Sequence, residues 1–350
     1  MKDNLKIKMK IMDKGMRNAL LGLAVAMMAS AGCAKSEKTE PNESNKRFFD
    51  AWIQINHPDL TPTDLGVYIV DEKEGDGELY DGEAYVYVKY VISNLDGTIS
   101  STNVKKIAQQ VGAYNKSYYY GPEVWVNSEG MLQAGVADVL DGMRVGGSRT
   151  AVIPAWLMTT ERYKKPSEYL KHDPESSNAI YTIELTGFTN DIIKSEADSL
   201  EAFSDKYLDS ADSLSYGFYY KQLSEPTDTV SFPSDTTIYI NYTGRLLNGQ
   251  VFDTTIADTA KFYNVYSSSG TYEPVAITWS DTYTGITMST DGSSSSSLIS
   301  GFQRTLWQMR KYEKGVGMFM SLYGYGYSGS GKRIPSFAPL LFEIEIVDEP

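Results

Sequence analysis

The segment Tyr242-Thr-Gly-Arg-Leu-Leu-Asn-Gly-Gln-Val-Phe-Asp253 spells two strands around a tight turn. Ahead of it, Thr237-Ile-Tyr-Ile-Asn-Tyr242 alternates β-branched and aromatic residues with neighbours of other character, the period-two pattern of a half-buried strand. Asn248-Gly249 tolerates the positive φ that a hairpin turn demands. An antiparallel sheet follows.

Working outward, the chain says the same thing twice. Tyr85-Val-Tyr-Val-Lys-Tyr90 and Leu95-Asp-Gly-Thr-Ile99 stand ahead of the second set at a nearly constant offset, as Leu65–Val70 does ahead of Tyr216–Lys221. Closing strands are expected at Ala179–Leu185 and Leu340–Ile346. Each copy carries one segment with helical spacing, Val136, Val139, Leu140 and Met143 after Gly135, and Phe302, Leu306 and Met309 after Gly301. These patterns predict an α+β chain of two domains, each a twisted antiparallel sheet wrapped on one short helix.

The flanks divide the chain further. Residues 1–32 hold a basic stretch (Lys6 to Arg17), an apolar run from Ala19 to Ala29, and Ser30-Ala31-Gly32 before Cys33, which reads as an export signal. The run is shorter than the roughly 20 residues of a membrane span. Cys33, the single cysteine, is the expected lipidation site; a cleaved secreted protein with a free thiol is the alternative. Met9, Met12 and Met16 leave the start open. Residues 33–46, rich in Lys, Glu, Ser and Asn, read as a flexible tether. The domains are expected at 47–190 and 216–350, with a helical linker over 191–215 whose packing face is Ile193, Leu200, Phe203, Tyr207 and Leu208. Phe48–Ile55 reads as its counterpart before the first domain.

Composition narrows the chemistry. A net charge of −13 over 350 residues argues against nucleic acid, where Lys and Arg must neutralise phosphates. The two histidines, His57 and His172, are far apart and have no cysteine near them, so no metal spacing is present. No serine lies in a Gly-x-Ser-x-Gly elbow, and Ser293–Ser297 read as a loop. Gly326 to Lys332 has the spacing of a phosphate loop, but Arg333 stands where Ser or Thr would hold magnesium. The 26 tyrosines suit an aromatic-rich β core with a wet edge; carbohydrate binding has only this composition behind it.

What remains is an aromatic pocket. Tyr242, Thr243-Gly244, the turn, Val251-Phe252-Asp253, Leu298-Ile-Ser-Gly-Phe302, Tyr323-Gly-Tyr-Gly-Tyr327, Ile334-Pro335 and Phe342 resemble, in that order, the FKBP-type peptidyl-prolyl cis-trans isomerases. The resemblance covers about Tyr216 to Asp348. It implies a site of Tyr242, Phe252, Asp253, Ile299, Phe302, Tyr325, Ile334 and Phe342, with Leu298 and Val275 binding substrate and no cofactor or metal. Substrates would be proline-containing polypeptides. Phe302 replaces the family's tryptophan, and residues 254–297 far exceed the family's usual connection. The first copy resembles the family less: Ile99-Ser100 replaces Phe-Asp and Val136 the pocket tryptophan, while Trp125, Trp156 and Tyr163 offer a different apolar groove.

The expected function is therefore an envelope isomerase assisting exported proteins, with its site in the second domain. Ala34 after Cys33 points to the outer membrane by common lipoprotein rules. The rival is a chaperone-like binding lipoprotein with the fold but no turnover.

Overall fold

A computed structural model describes residues 41–82, 85–290 and 294–350. The export signal, Cys33 and most of the tether lie outside these residues. All strand pairs in it are antiparallel.

The described residues open with helix α1 (Glu43–Asn56), so the last four residues read as tether are helical. The first sheet comprises β1 (Tyr68–Lys73), β2 (Tyr85–Ser93), β3 (Ile99–Thr102), β4 (Glu123–Val126), β5 (Ser148–Ile153) and β6 (Ala179–Thr189). Its order is β1-β5-β6-β2-β3, with β4 also paired to β2. Alternation on β2 puts Val86 and Val88 in the core, fully buried, under helix α3 (Ala134–Leu140), which follows the short α2 (Lys105–Gln110). A one-turn α4 (Pro166–Tyr169) precedes β6.

The second sheet repeats that order. β8 (Phe218–Ser224), β14 (Lys314–Phe319), β15 (Leu340–Val347), β9 (Thr237–Leu246), β10 (Val251–Thr254) and β11 (Val275–Thr278) stand where β1, β5, β6, β2, β3 and β4 stand in the first. Helix α7 (Ser300–Gln308) takes the place of α3. The repeat extends to single contacts: the Tyr90 N–H donates to Asn103 Oδ1 at 2.7 Å and the Tyr242 N–H to Thr255 Oγ1 at 2.9 Å. Both helices approach their sheets through a glycine. A Cβ on Gly135 would lie 2.3 Å from Ile153 Cγ2, and one on Gly301 2.3 Å from Phe319.

The register corrects one alignment. Both third strands carry a bulge: Ser93 pairs with Ile99 and Ile92 with Ser101, as Arg245 pairs with Val251 and Gly244 with Asp253. Ser100-Ser101, not Ile99-Ser100, therefore stand where the second domain has Phe252-Asp253.

The long connection 254–297 is also partly shared. Helix α6 (Ala257–Phe262) matches α2, and the Tyr266–Tyr272 ring pair, centroids 4.8 Å apart, matches Tyr114–Tyr120 at 5.3 Å. What the second domain adds is the hairpin of β12 (Thr287–Thr290) and β13 (Ser294–Ser297) on the outer edge of β11. The stretch read as a serine loop thus ends in a strand, because an edge strand needs only backbone pairing; Ser293 is outside the described residues. Gln303 Nε2 donates to the carbonyls of Thr284 (3.1 Å) and Ile286 (2.9 Å), pinning this addition to α7.

Between the domains, helix α5 spans Ile192–Tyr207 and stops there; β7 (Asp212–Ser215), read as helix from sequence, instead pairs with β8. Asp191 caps α5, its Oδ1 accepting from the Lys194 N–H at 2.9 Å. Leu200 packs on Val316, Met318, Met320 and Leu341, on the sheet face away from α7, whereas Tyr207 is exposed. Two consecutive residues of α5 tie the domains together. Ser195 Oγ lies 3.0 Å from Tyr87 Oη of the first domain, and buried Glu196 accepts from Ser321 N–H (2.6 Å) and Ser321 Oγ–H (2.7 Å) of the second.

Burial raises the Glu196 pKa, and the hydrogen bonds from Ser321 pull it back in part. The folded chain thus holds this proton more tightly than the unfolded chain. That contribution to stability is whole below the ordinary carboxylate range and is lost as pH rises through the raised folded value. Urea midpoints measured between about pH 4 and pH 8 should carry this downward component in the parent and lack it in Glu196→Gln; equal pH slopes in the two proteins would refute it.

Candidate active site

Strand β9 delivers Tyr242, and the bulge on β10 turns Phe252 inward while Asp253 stays at the exposed mouth. The Tyr242 hydroxyl donates to Asp253 Oδ2 at 2.7 Å. Burial raises the Tyr242 pKa, and the negative Asp253 raises it further. Tyr325 is shifted upward for the same reasons in the same order. Both phenols therefore remain neutral hydrogen-bond donors across the physiological range.

An aromatic box surrounds this pair. Phe342 on β15 meets Phe302 of α7 edge-on at 4.9 Å and 89°, Phe252 at 5.5 Å and Tyr242 at 6.0 Å. Tyr242 and Phe302 meet edge-to-face at 5.4 Å. Gly244 makes room for this packing, since a Cβ there would fall 2.5 Å from Phe252 and 2.9 Å from Phe342. Ile299 precedes α7 in extended conformation (φ −62°, ψ 143°), and its carbonyl accepts from the Phe302 N–H at 3.0 Å.

The remaining wall is a loop, residues 326–337, which begins with the 3-10 turn Gly326–Ser328 and leads to β15. It is folded on itself by paired hydrogen bonds between Ser330 and Ile334 and by the Phe337 N–H donating to the Gly326 carbonyl at 2.9 Å. The Arg333 guanidinium donates to the Phe252 carbonyl at 3.2 Å, which places Ile334 against the rings.

Together these elements enclose a cavity of about 480 Å³. Tyr242, Phe252, Asp253, Leu298, Ile299, Phe302, Tyr325, Ile334 and Phe342 all line it. Val275 does not: it pairs with Ile240 on β11, away from the mouth. Sequence reading missed Met288, Ser297, Ser330 and Arg333, which also line the cavity. Met288 and Ser297 arrive on the added hairpin, for which no pattern in the serine-rich stretch was visible. Arg333 stands next to Ile334-Pro335 of the resemblance, which implies no role for it.

The first domain has no such box. Val136 and Ser100 stand where Phe302 and Phe252 stand in the second. The expected groove of Trp125, Trp156 and Tyr163 is not formed as one surface. Trp156 is buried against Phe49 at 5.4 Å, Tyr163 stacks on His172 at 4.6 Å, and Trp125, 5.1 Å from Tyr90, faces a separate cavity.

Comparison with known proteins agrees with this geometry in the second domain. Residues 230–347 match the family model of the FKBP-type peptidyl-prolyl cis-trans isomerases. The resemblance read in the sequence therefore holds for that segment, about a third of the chain. No curated protein matches the sequence. Among solved structures, a peptidyl-prolyl cis-trans isomerase from Pseudomonas syringae pv. tomato is 22% identical, covering 45% of this chain and 92% of its own, with TM-score 0.31. The three FKBP domains of wheat FKBP73 are 18% identical over 82% of this chain and 98% of theirs, TM-score 0.28. The N-terminal domain of FKBP42 from Arabidopsis thaliana is 17% identical over 40% and 92%, TM-score 0.28.

Gly244→Ala should displace Phe252 and Phe342 and cost about 1–3 kcal/mol of stability, the usual toll of overpacking. Denaturant titration with near-ultraviolet circular dichroism checks both parts; a parent-like midpoint and aromatic signal would show that the box tolerates a methyl group.

Proposed function

We propose that the second domain is a peptidyl-prolyl cis-trans isomerase acting on proline-containing segments of polypeptides. The observation that carries this reading is the aromatic box closed by the Tyr242–Asp253 hydrogen bond, within the segment that matches the isomerase family.

Such a site needs no nucleophile. Rotation about a peptide bond faces about 18–20 kcal/mol because resonance is lost on twisting. The twisted amide is less polar than the planar one, so a cavity walled by rings favours it relative to the hydrated planar form. Phe252, Phe302 and Phe342 hold the proline ring by this account. By resemblance, the Ile299 N–H holds the proline-side carbonyl and the Tyr325 hydroxyl a neighbouring one. Asp253 fixes the Tyr242 ring through its hydrogen bond. Only the part of each contact that strengthens on twisting accelerates the reaction.

We place this activity in the cell envelope, with diacylated Cys33 as anchor, since two acyl chains give stable membrane attachment. Exported chains meet proline steps of tens of seconds, which an envelope isomerase shortens. The alternative, a binding protein without turnover, draws support from Phe302 and from Met288 at the cavity wall.

Exchange of an Xaa-Pro peptide should be accelerated by the full chain. Tyr325→Phe and Asp253→Ala should each lower kcat/KM by about ten-fold, or about 1.4 kcal/mol of barrier, while staying folded. Binding of the peptide without acceleration would replace the enzyme by the binding protein. Cys33→Ser should move the protein from the membrane to the soluble fraction; retention in the membrane would refute lipid anchoring there.

A further inference from the structure

The first domain keeps a hollow where the second has its cavity, and that hollow is covered. Tyr90, Leu132, Gln133 and Tyr181 occupy the positions of Tyr242, Leu298, Ile299 and Phe342, and they line a cavity of about 340 Å³ whose other wall is Tyr327 and Phe337 of the second domain. Next to it, Ser100, Ser101 and Glu123 face Lys332, Ile334 and Pro335 across a space of about 290 Å³. Ser100 lines the second of these spaces, where its counterpart Phe252 lines the other domain's cavity.

The segment that covers the hollow is the same loop, 326–337, that walls the catalytic cavity. Its residues divide between the two domains. The Tyr119 N–H donates to the Lys332 carbonyl at 2.7 Å, the Lys332 ammonium lies 5.3 Å from the Tyr118 ring, and Phe337 meets Tyr85 edge-on at 5.3 Å. Between these anchors, Arg333 turns to the second domain's cavity, and Ile334 borders that cavity as well as the space beside Ser100. Phe337 has a φ of 57°, a left-handed conformation that a bulky side chain adopts only when surroundings hold it. Its hydrogen bond to Gly326 and its ring contact with Tyr85 supply that hold.

We propose that the first domain is a receptor for the second domain's own loop: its remnant cavity binds residues 326–337 in place of a substrate and thereby positions Arg333 and Ile334 at the working site. The proposal rests on the isomerase reading only for its effect on turnover. Tyr85 and Phe337 are positioning residues, since neither lines the catalytic cavity.

Trypsin reads the docking directly, because Lys332 and Arg333 lie in the loop. In the full chain, Tyr85→Ala and Phe337→Ala should each speed cleavage there by about five-fold, the size expected for one lost aromatic pair. Each should raise KM for an Xaa-Pro peptide by a similar factor with a smaller change in kcat, while Tyr85→Phe restores both readings. Parent-like cleavage in both alanine variants would overturn the docking. Faster cleavage with unchanged KM and kcat would overturn the positioning role. If the parent protein shows no isomerisation, the functional reading falls, and the cleavage rates still decide whether the loop is docked.

Discussion

Phe342 is the contact on which the candidate site depends. Its ring touches Tyr242, Phe252, Phe302 and Phe319, at centroid distances of 6.0, 5.5, 4.9 and 5.9 Å, and so joins three neighbouring strands and the helix that crosses them. Most of these meetings are edge-on or tilted, the geometry that the ring quadrupole favours. Because Phe342 is itself paired to Gly244 and Gly317 in the sheet, the small residues around it set how close the rings come. The cavity is the side of this cluster left open to solvent, and its polar edge is a neutral phenol held by a carboxylate. Phe302 meets Tyr242 and Phe342 edge-on and offers no N–H to the cavity.

Features carried by local pattern were legible in the sequence. The alternation of Thr237–Tyr242 and Tyr85–Tyr90, the Asn-Gly and Asp-Gly turns, and Gly135 and Gly301 at the close helix–sheet approach all report on short-range sterics. Nine of the ten expected pocket and substrate residues meet in one cavity; most sit on or beside such elements, while Tyr325 and Ile334 are brought in by the loop wall and its contacts with distant residues. Ser100-Ser101 precede Phe252-Asp253 by 152 residues, the offset that also relates Tyr90 to Tyr242 and Asp96-Gly97 to Asn248-Gly249, and because both copies carry the bulge this match was legible in the sequence. Other features depended on partners distant in the chain. Ser294–Ser297 has no apolar alternation and is a strand only because β12 offers it a backbone edge. Val275 has the right neighbours in sequence, but the pairing of β11 with β9 carries it away from the mouth.

The linker is less passive than its composition suggests. An amphipathic helix between repeats is expected to bury one stripe, and Leu200 does so on the back of the second sheet. The same helix also places Ser195 and Glu196, adjacent in sequence, on opposite domains. A buried carboxylate is tolerated there because two donors of Ser321 satisfy it; without them, desolvation would favour its neutral form more strongly. Ser321 begins the 3-10 turn that ends at Tyr323, two residues before Tyr325, so the linker fixes one end of the stretch that walls the cavity.

The two copies differ in a way that follows from side-chain volume. With phenylalanine at 252 and 302, the second copy closes its core and leaves a shaped, apolar hollow. With serine at 100, the space beside that residue in the first copy is edged by hydroxyl groups and Glu123 instead of a phenylalanine ring. Hydroxyl groups and a carboxylate offer a proline ring fewer apolar contacts than a phenylalanine ring does. A loop bearing Lys332, Pro335 and Phe337 covers that space with both polar and apolar contacts. Loss of the rings in one copy and retention of the loop in the other are thus compatible parts of one interface.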